Sequence, residues 1–150
     1  MKPSVSELLA GGAMTLATGV VPLLEANPYG KGHATIVMML ALLAAQEVDK
    51  AADVLHTENA RLRGLFARAA LTPVERDLAD ALRAAGEAPG SGSLRVSALQ
   101  IENAGLRALL IRLHAAVEAD AETWAAEIDA EIWALLRDGA RARLVDLPPM

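Results

Sequence analysis

Apolar residues recur at helical spacing along most of the chain, and this pattern predicts five helices. Positions three and four residues apart share one helix face, so each apolar stripe indicates a face that packs against neighbours. The predicted helices span about 4–25, 33–70, 73–85, 94–119 and 121–144. The pattern therefore predicts an all-α fold, an antiparallel bundle of four to five helices with heptad-like packing, in one domain over 1–150.

The first helix has an unusual stripe, because glycines occupy two of its positions. The stripe comprises Val5, Leu9, Gly12, Leu16, Gly19 and Leu23. Glycine on a buried stripe predicts a helix that approaches closely, since glycine otherwise weakens a helix. Pro22 predicts a kink or an early end, and the residues 27–32 that follow read as a loop.

Three further boundaries follow from local signals. Thr72, Pro73 and Glu75 match a capping box with proline at the first helical position, which predicts a helix start. Residues 86–93 are rich in Gly, Ser and Pro and predict a flexible loop. Residues 145–150 are expected to form a tail outside the bundle.

An eight-residue segment occurs twice, as Glu58–Leu65 (ENARLRGL) and Glu102–Leu109 (ENAGLRAL). Both copies have the same heptad phase, with Asn59 and Asn103 at core positions of type a. A buried Asn costs stability but specifies register, because its amide is satisfied only opposite a polar partner. The repeat therefore predicts that the second and fourth helices pair through these two side chains.

The charged residues of the repeat are placed to form two ion pairs. Glu58 and Glu102 fall at g, and Arg63 and Arg107 fall at e, which face each other across a parallel helix pair. We therefore expect Glu58 to pair with Arg107 and Glu102 with Arg63. These pairs can form within one chain or between two copies. Together with the two asparagines, the four residues can act as a register lock or line a polar pocket.

Composition narrows the class of protein further. The chain contains no cysteine, which excludes disulfides, thiolate metal sites and cysteine nucleophiles. A net charge of −5, with no separate basic cluster, argues against nucleic acid as a partner. The apolar stretch 8–24 has only Lys2 as a basic start, unlike a signal peptide, and 34–45 is too short to cross a bilayer. We expect a soluble, cytoplasmic protein without a membrane span.

No catalytic or metal constellation emerges from the spacing of polar residues. His56 and His114 fall at the edge of the helix seam, and neither follows a glutamate by three residues, as di-iron bundles require. An acidic run crosses the start of the fifth helix: Glu118, Asp120, Glu122, Glu127, Asp129 and Glu131. Its spacing of four, without a matching acidic pair elsewhere, favours a solvated face. We expect no cofactor, no metal and no catalytic residue.

The two tryptophans lie on opposite sides of the fifth helix. Trp124 shares a stripe with Ile128 and Ile132, which predicts a core position. Trp133 lies on the other face, where it is a candidate subunit contact, because Trp is enriched at interface hot spots. The alternative is a wider buried face within one bundle.

The N-terminal half carries three short motifs that resemble one group of proteins. These are Leu8-Leu9, Val21-Pro22-Leu23-Leu24, and Gln46-Glu47 at the end of an apolar helix. They resemble small bacterial helical proteins of unknown function, encoded beside aminoglycoside-phosphotransferase-like kinases and acyl-CoA dehydrogenases. The resemblance implies an accessory role and no catalytic residue.

Three functions remain open on these observations. The first is a non-enzymatic accessory or protein-interaction module, expected to be a homodimer with Trp133 as a possible contact. The second is a small-molecule or acyl-chain binding bundle, with the aliphatic run 36–43 framing a cavity and Asn59 and Asn103 at its polar end. The third is a metal-dependent all-α hydrolase that uses the acidic run.

Overall fold

The structure, a computed structural model, describes residues 2–146, and this part of the chain contains five α-helices and no β-strand. The all-α prediction is confirmed. From residue 147 onward, the predicted tail lies outside the described residues. The helices are α1 (Val5–Thr15), α2 (Pro28–Ala69), α3 (Arg76–Glu87), α4 (Val96–Glu118) and α5 (Thr123–Ala142).

The first predicted helix is shorter than expected as an α-helix. Ser4 caps it, with a capping box completed by Glu7. After α1 the chain stays helical, but it forms a π-helical segment over Leu16–Val20 and a 3₁₀ turn over Val21–Leu24. Pro22 has no N–H to donate to a preceding carbonyl, which explains why regular α-helix does not continue through it.

The second helix begins earlier than the glycine-rich sequence suggests. The loop predicted over 27–32 is instead the first turn of α2, which starts at Pro28. The Asn27 side chain accepts a hydrogen bond from the Gly30 N–H at 3.0 Å. An Asn cap followed by proline at the first helical position is a favourable helix start, and it outweighs the cost of two glycines.

The start of α3 corrects the predicted capping box. The helix begins at Arg76, and its cap residue Glu75 makes no side-chain capping bond. The Thr72 hydroxyl donates instead to the Ala69 carbonyl at 2.7 Å, so it closes the end of α2. At its other end α3 continues to Glu87, and the predicted loop 86–93 therefore begins only at residue 88.

By their internal contacts the described residues divide into two compact units, 2–51 with 144–146 and 52–143. The long helix α2 contributes its first half to one unit and its second half to the other. The expectation of one domain stays a prediction. The larger unit has a continuous apolar core built from α2, α3, α4 and α5, whose largest fully buried side chains include Phe66, Leu62, Leu82, Leu113 and Ile132.

The predicted seam of α4 is confirmed over most of its length. Its buried residues alternate at spacings of four and three, as a heptad requires: Leu99, Asn103, Leu106, Leu110, Leu113 and Val117. Only Val96 departs from the prediction, because it is the first residue of the helix and is exposed. The heptad pattern of α4 therefore correctly predicts that Asn103 lies in the core.

Among the described residues, no neighbour approaches the glycine stripe of the first helix closely. A methyl group built on Gly12 or Gly19 meets none of their atoms within 4 Å. The close approach predicted there is wrong. It occurs instead in the larger unit, at Gly86, where a Cβ would lie 2.9 Å from the Ala67 backbone nitrogen.

We expect Gly86→Ala to destabilise the protein by roughly 1–2 kcal/mol, because backbone atoms of α2 must move to admit the methyl group. Gly105 is a matched control on α4, where an added Cβ meets nothing within 4 Å. Gly105→Ala should stabilise by up to about 1 kcal/mol through helix propensity. Urea unfolding measures both, and equal effects of the two substitutions would contradict the close approach.

Candidate functional site

The two copies of the repeat meet within one chain, on α2 and α4 of the larger unit. The Asn103 side-chain amide donates to Asn59 Oδ1 at 2.8 Å, and the Asn59 amide donates to the Leu99 carbonyl at 3.2 Å. Both asparagines are buried. Each amide thus finds a polar partner, as the repeat predicts.

Contacts with α5 show that α2 and α4 run in the same direction. Arg61 pairs with Asp138 and Arg68 with Glu131, so residue numbers rise along α2 as they fall along α5. α4 is joined to α5 by the short connection 119–122 and lies antiparallel to it. Two helices antiparallel to the same neighbour are parallel to each other, which is the arrangement that the g-to-e ion pairs require.

Glu58 forms the first predicted ion pair and a second one that the sequence did not indicate. Its carboxylate accepts a hydrogen bond from Arg107 Nε at 2.7 Å and also pairs with Arg143. Glu58 is 5% exposed. Burial by itself raises the pKa of this carboxyl, but hydrogen bonds and charge from Arg143 and Arg107 outweigh it and hold the pKa below its usual value.

Glu102 and Arg63 form the second predicted ion pair, and both side chains are largely buried. The other carboxylate oxygen of Glu102 accepts a hydrogen bond from the Ser91 N–H at 3.1 Å. This bond ties the segment between α3 and α4 to the repeat. Arg63 Nε is buried and finds no hydrogen-bond acceptor within the described residues.

The two asparagines and the residues of the two ion pairs form what we call the polar cluster: Asn59, Asn103, Glu58, Arg107, Glu102 and Arg63. A cavity of about 320 Å³ adjoins this polar cluster. Its lining includes Asn59, Arg63 and Glu102 together with His56 and Ser91. Asn103 belongs to the cluster but does not line the cavity. Of the residues considered for a polar pocket, Asn59, Arg63 and Glu102 line this cavity. The Asn pair itself is occupied with internal hydrogen bonds, and a polar binding pocket stays a prediction.

The acidic run does not gather into a cation site in the part of the chain that the structure describes. No group of three or more His, Asp or Glu side chains is placed there to hold a metal ion. Asp129 pairs with His114 at 3.1 Å, and Glu131 pairs with Arg68. Two of its carboxylates are therefore engaged by basic residues.

The two tryptophans have different environments. Trp124 packs against the core, as predicted. Trp133 is 57% exposed, and its ring meets the edge of His114 with 5.6 Å between ring centroids. The part of the chain that the structure describes therefore does not bury Trp133 in a wider bundle face, and the alternative of a subunit contact stays a prediction.

The smaller unit exposes several large apolar side chains, which we call together the N-terminal apolar surface. Its members are Val5, Leu8, Met14, Leu23, Ile36, Val37 and Leu40, all more than half exposed. The stretch Val5–Leu24 is long and apolar enough to cross a membrane by length and composition, and only 6% of its most apolar window is buried. Large exposed apolar patches on soluble proteins are typical of surfaces that contact another molecule.

Comparison with protein-family models, with curated proteins and with solved structures gives no match. The resemblance of the N-terminal motifs to small bacterial helical proteins therefore stays a prediction.

Sequence reasoning missed two members of the site. Arg143 follows the last residue of α5, where its side chain also donates to the Gly139 carbonyl. Ser91 contributes through its backbone N–H, which carries no side-chain signal. A basic residue about two helical turns beyond Leu135, the last residue of the apolar stripe of α5, is the only cue that the sequence offers for Arg143.

Proposed function

We propose that this chain is a non-enzymatic protein-interaction module that pairs with a second copy through the N-terminal apolar surface. The observation that carries the proposal is the exposure of apolar side chains on both helical segments of the smaller unit. Exposed apolar side chains are stabilised when another apolar surface covers them.

A second copy suits the arrangement of the smaller unit. Ser6 and Ala10 of α1 line one pocket with Ala45 and Asp49 of α2, so the two helical segments lie side by side. Two helices form only one layer, and a stable helical architecture needs a second. A two-fold pairing supplies that layer with the same surface from the partner, which is the commonest form of association between identical chains.

Size-exclusion chromatography with light scattering, and native mass spectrometry, should show a dimer of the full chain. Leu40→Lys should weaken it at least about a hundredfold, because an unpaired buried charge costs ~3 kcal/mol or more. Leu71→Lys is the matched control, since Leu71 is 86% exposed in the turn after α2, outside the N-terminal apolar surface.

Trp133→Ala in the same assay distinguishes the two candidate contacts. A dimer that survives Trp133→Ala but not Leu40→Lys assigns the interface to the smaller unit. A wild-type chain that stays monomeric at micromolar concentration would overturn the proposal. If that monomer floats with phosphatidylcholine vesicles, a lipid surface covers the apolar side chains instead.

A further inference from the structure

A short segment after α5, residues 144–146, belongs to the smaller unit, which otherwise consists of residues 2–51 within the described part of the chain. α5 ends at Ala142, and the three residues that follow Arg143 form no helix or turn. We call them the 144–146 strap. The strap is not part of the N-terminal apolar surface, so its position on α2 calls for a separate explanation.

Two side chains of α2 bind the main chain of the strap. Gln46 Oε1 accepts a hydrogen bond from the Asp146 N–H, and Gln46 Nε2 donates one to the Asp146 carbonyl, each at 2.8 Å. Lys50 Nζ donates to the Leu144 carbonyl. Gln46 and Lys50 are four residues apart, so they lie one turn apart on the same face of α2. This face of α2 thus binds three main-chain groups of the strap.

The bonded groups alternate along the strap, as they do on one edge of an extended chain. In a β-strand, residues i and i+2 present their main-chain groups to the same side, and the residue between them faces the opposite side. Leu144 and Asp146 supply the bonded groups, and among the described residues Val145 makes no hydrogen bond to α2. The Gln46 amide therefore takes the place of a neighbouring strand, because it offers both a donor and an acceptor.

The side chains of the two bonded residues contribute little to docking. Leu144 is 73% exposed, and Asp146 is also exposed. Docking therefore depends mainly on hydrogen bonds that water can replace, and it orders a segment at a cost in conformational entropy. These opposing effects place the docked and released states of the strap close to each other in free energy.

The docked strap also forms one wall of a groove between α1 and α2. The groove has a volume of about 550 Å³, and its other walls include Ser6 and Ala10 of α1 and Asp49 of α2. Leu144 and Asp146 complete its lining. Release of the strap would therefore open the groove on that side.

We propose that the face of α2 with Gln46 and Lys50 is a docking site for the main chain of an extended segment, and that the 144–146 strap occupies it reversibly. The site requires an N–H group on the residue that faces Gln46, but no particular side chain at that residue or at Leu144. The strap is thus a conformational device that opens and closes one side of the groove.

Amide hydrogen exchange of the full chain, followed by NMR, measures how often the strap is released. The Asp146 amide should exchange roughly 3–300-fold more slowly than in an unstructured chain, as expected for a few exposed hydrogen bonds. Less slowing would show that the strap does not dock, and more would show that it does not come off. Either result would overturn the proposal.

A pair of proline variants tests recognition of the main chain. Asp146→Pro removes the N–H that binds Gln46, whereas Val145→Pro, the matched control, removes one that does not bind α2. Asp146→Pro should shift the side-chain N–H resonances of Gln46 and lower the heteronuclear NOE of Val145. Val145→Pro should leave the Gln46 resonances and the exchange of the Asp146 amide unchanged. Equal effects of the two prolines would contradict recognition through the Asp146 N–H.

Substitutions of side chains complete the test. Gln46→Ala should abolish the slow exchange of the Asp146 amide, and Gln100→Ala, which truncates an exposed glutamine on α4, should not. The double variant Leu144→Ser/Asp146→Asn keeps every main-chain group and should keep the slow exchange. Its loss in this variant would show that side chains hold the strap, and would overturn the proposal.

The same exchange measurement on the Leu40→Lys chain separates this proposal from the proposed self-association. Leu40 lies outside the strap and the groove, so slow exchange of the Asp146 amide should persist in that variant. Its loss there would show that the strap docks only in an assembly, and would contradict docking within one chain. A wild-type chain that is monomeric but keeps the slow exchange would overturn the self-association alone.

Discussion

A chain that carries Arg107→Met and Arg143→Met together is expected to lose about 3–5 kcal/mol of its free energy of unfolding at neutral pH. The reason is that Glu58 is far more deeply buried than the two arginines that pair with it. The Glu58 side chain is 4% exposed, whereas those of Arg107 and Arg143 are 46% and 36% exposed. Removing both arginines leaves a buried carboxylate without a partner, while removing Glu58 leaves two cations that water still reaches.

Chemical denaturation of the double variant, beside wild type, measures this loss. The matched control is Arg112→Met with Arg141→Met, which removes two exposed arginines from the same two helices, α4 and α5. The control should change stability by less than about 1 kcal/mol, as surface substitutions do. A double variant that is no less stable than this control would contradict the role assigned to Glu58.

The pH dependence gives the same prediction a second readout. In the wild type the pKa of Glu58 is lowered, so its ion pairs stabilise the fold above the unfolded-state pKa and are lost as pH falls through the folded-state pKa. Without the arginines only burial remains, which raises the pKa, so protonation relieves the penalty as pH falls. The difference in stability between wild type and the Arg107→Met/Arg143→Met variant should therefore become smaller in mild acid. When both chains also carry Glu58→Gln, this difference should no longer depend on pH in the acid range.

Asn103→Leu is expected to cost roughly 2–3 kcal/mol, because the buried Asn59 oxygen loses the side-chain donor that Asn103 supplies. Asn59→Leu should behave similarly. The double variant Asn59→Leu/Asn103→Leu should be more stable than either single variant, since two apolar side chains leave no amide unsatisfied. A double-mutant cycle by urea unfolding measures the coupling, and strictly additive effects would show that the two amides do not act as a pair.

The double variant also separates register from stability. If the asparagines specify the alignment of α2 with α4, the variant Asn59→Leu/Asn103→Leu should show broader amide NMR resonances or a mixture of assemblies, although its stability is recovered. Sharp, single-state spectra would indicate that the flanking ion pairs are sufficient to set the register.

The heptad pattern predicted the pairing of α2 with α4, where the apolar seam and the polar residues of the repeat follow the same seven-residue period. Asn59 and Asn103 share one phase, and that phase alone places Glu58 opposite Arg107 and Glu102 opposite Arg63. Heptad phase is a local property, so it can be read from sequence when the two helices pair in parallel. The ion pairs and the Asn contact follow from that phase once the two helices run parallel, which the contacts of α2 and α4 with α5 establish.

Other features of the fold and the site could not be predicted, because they depend on contacts that the spacing of apolar residues does not specify. Arg143 reaches Glu58 from beyond the end of a different helix, and Ser91 acts through its backbone. Asn27 and Pro28 start a helix where two glycines suggested a loop. The stripe through Gly12 suggested a close neighbour, but no atom of the described residues lies within 4 Å of a methyl group built there. Periodicity specifies a face and not what lies against it.

The parallel pairing of nearly identical segments has a consequence for assembly. Glu58–Leu65 recognises Glu102–Leu109, and each carries the same asparagine, glutamate and arginine, so the segments of a second chain offer equivalent partners. What favours pairing within one chain is the connection through α3, which holds the two segments at a high effective concentration, in the millimolar range for a short tether. At protein concentrations below this effective concentration, the two segments are expected to pair within one chain. At higher protein concentrations, or when α3 is unfolded, the chains are expected to exchange segments and form domain-swapped oligomers.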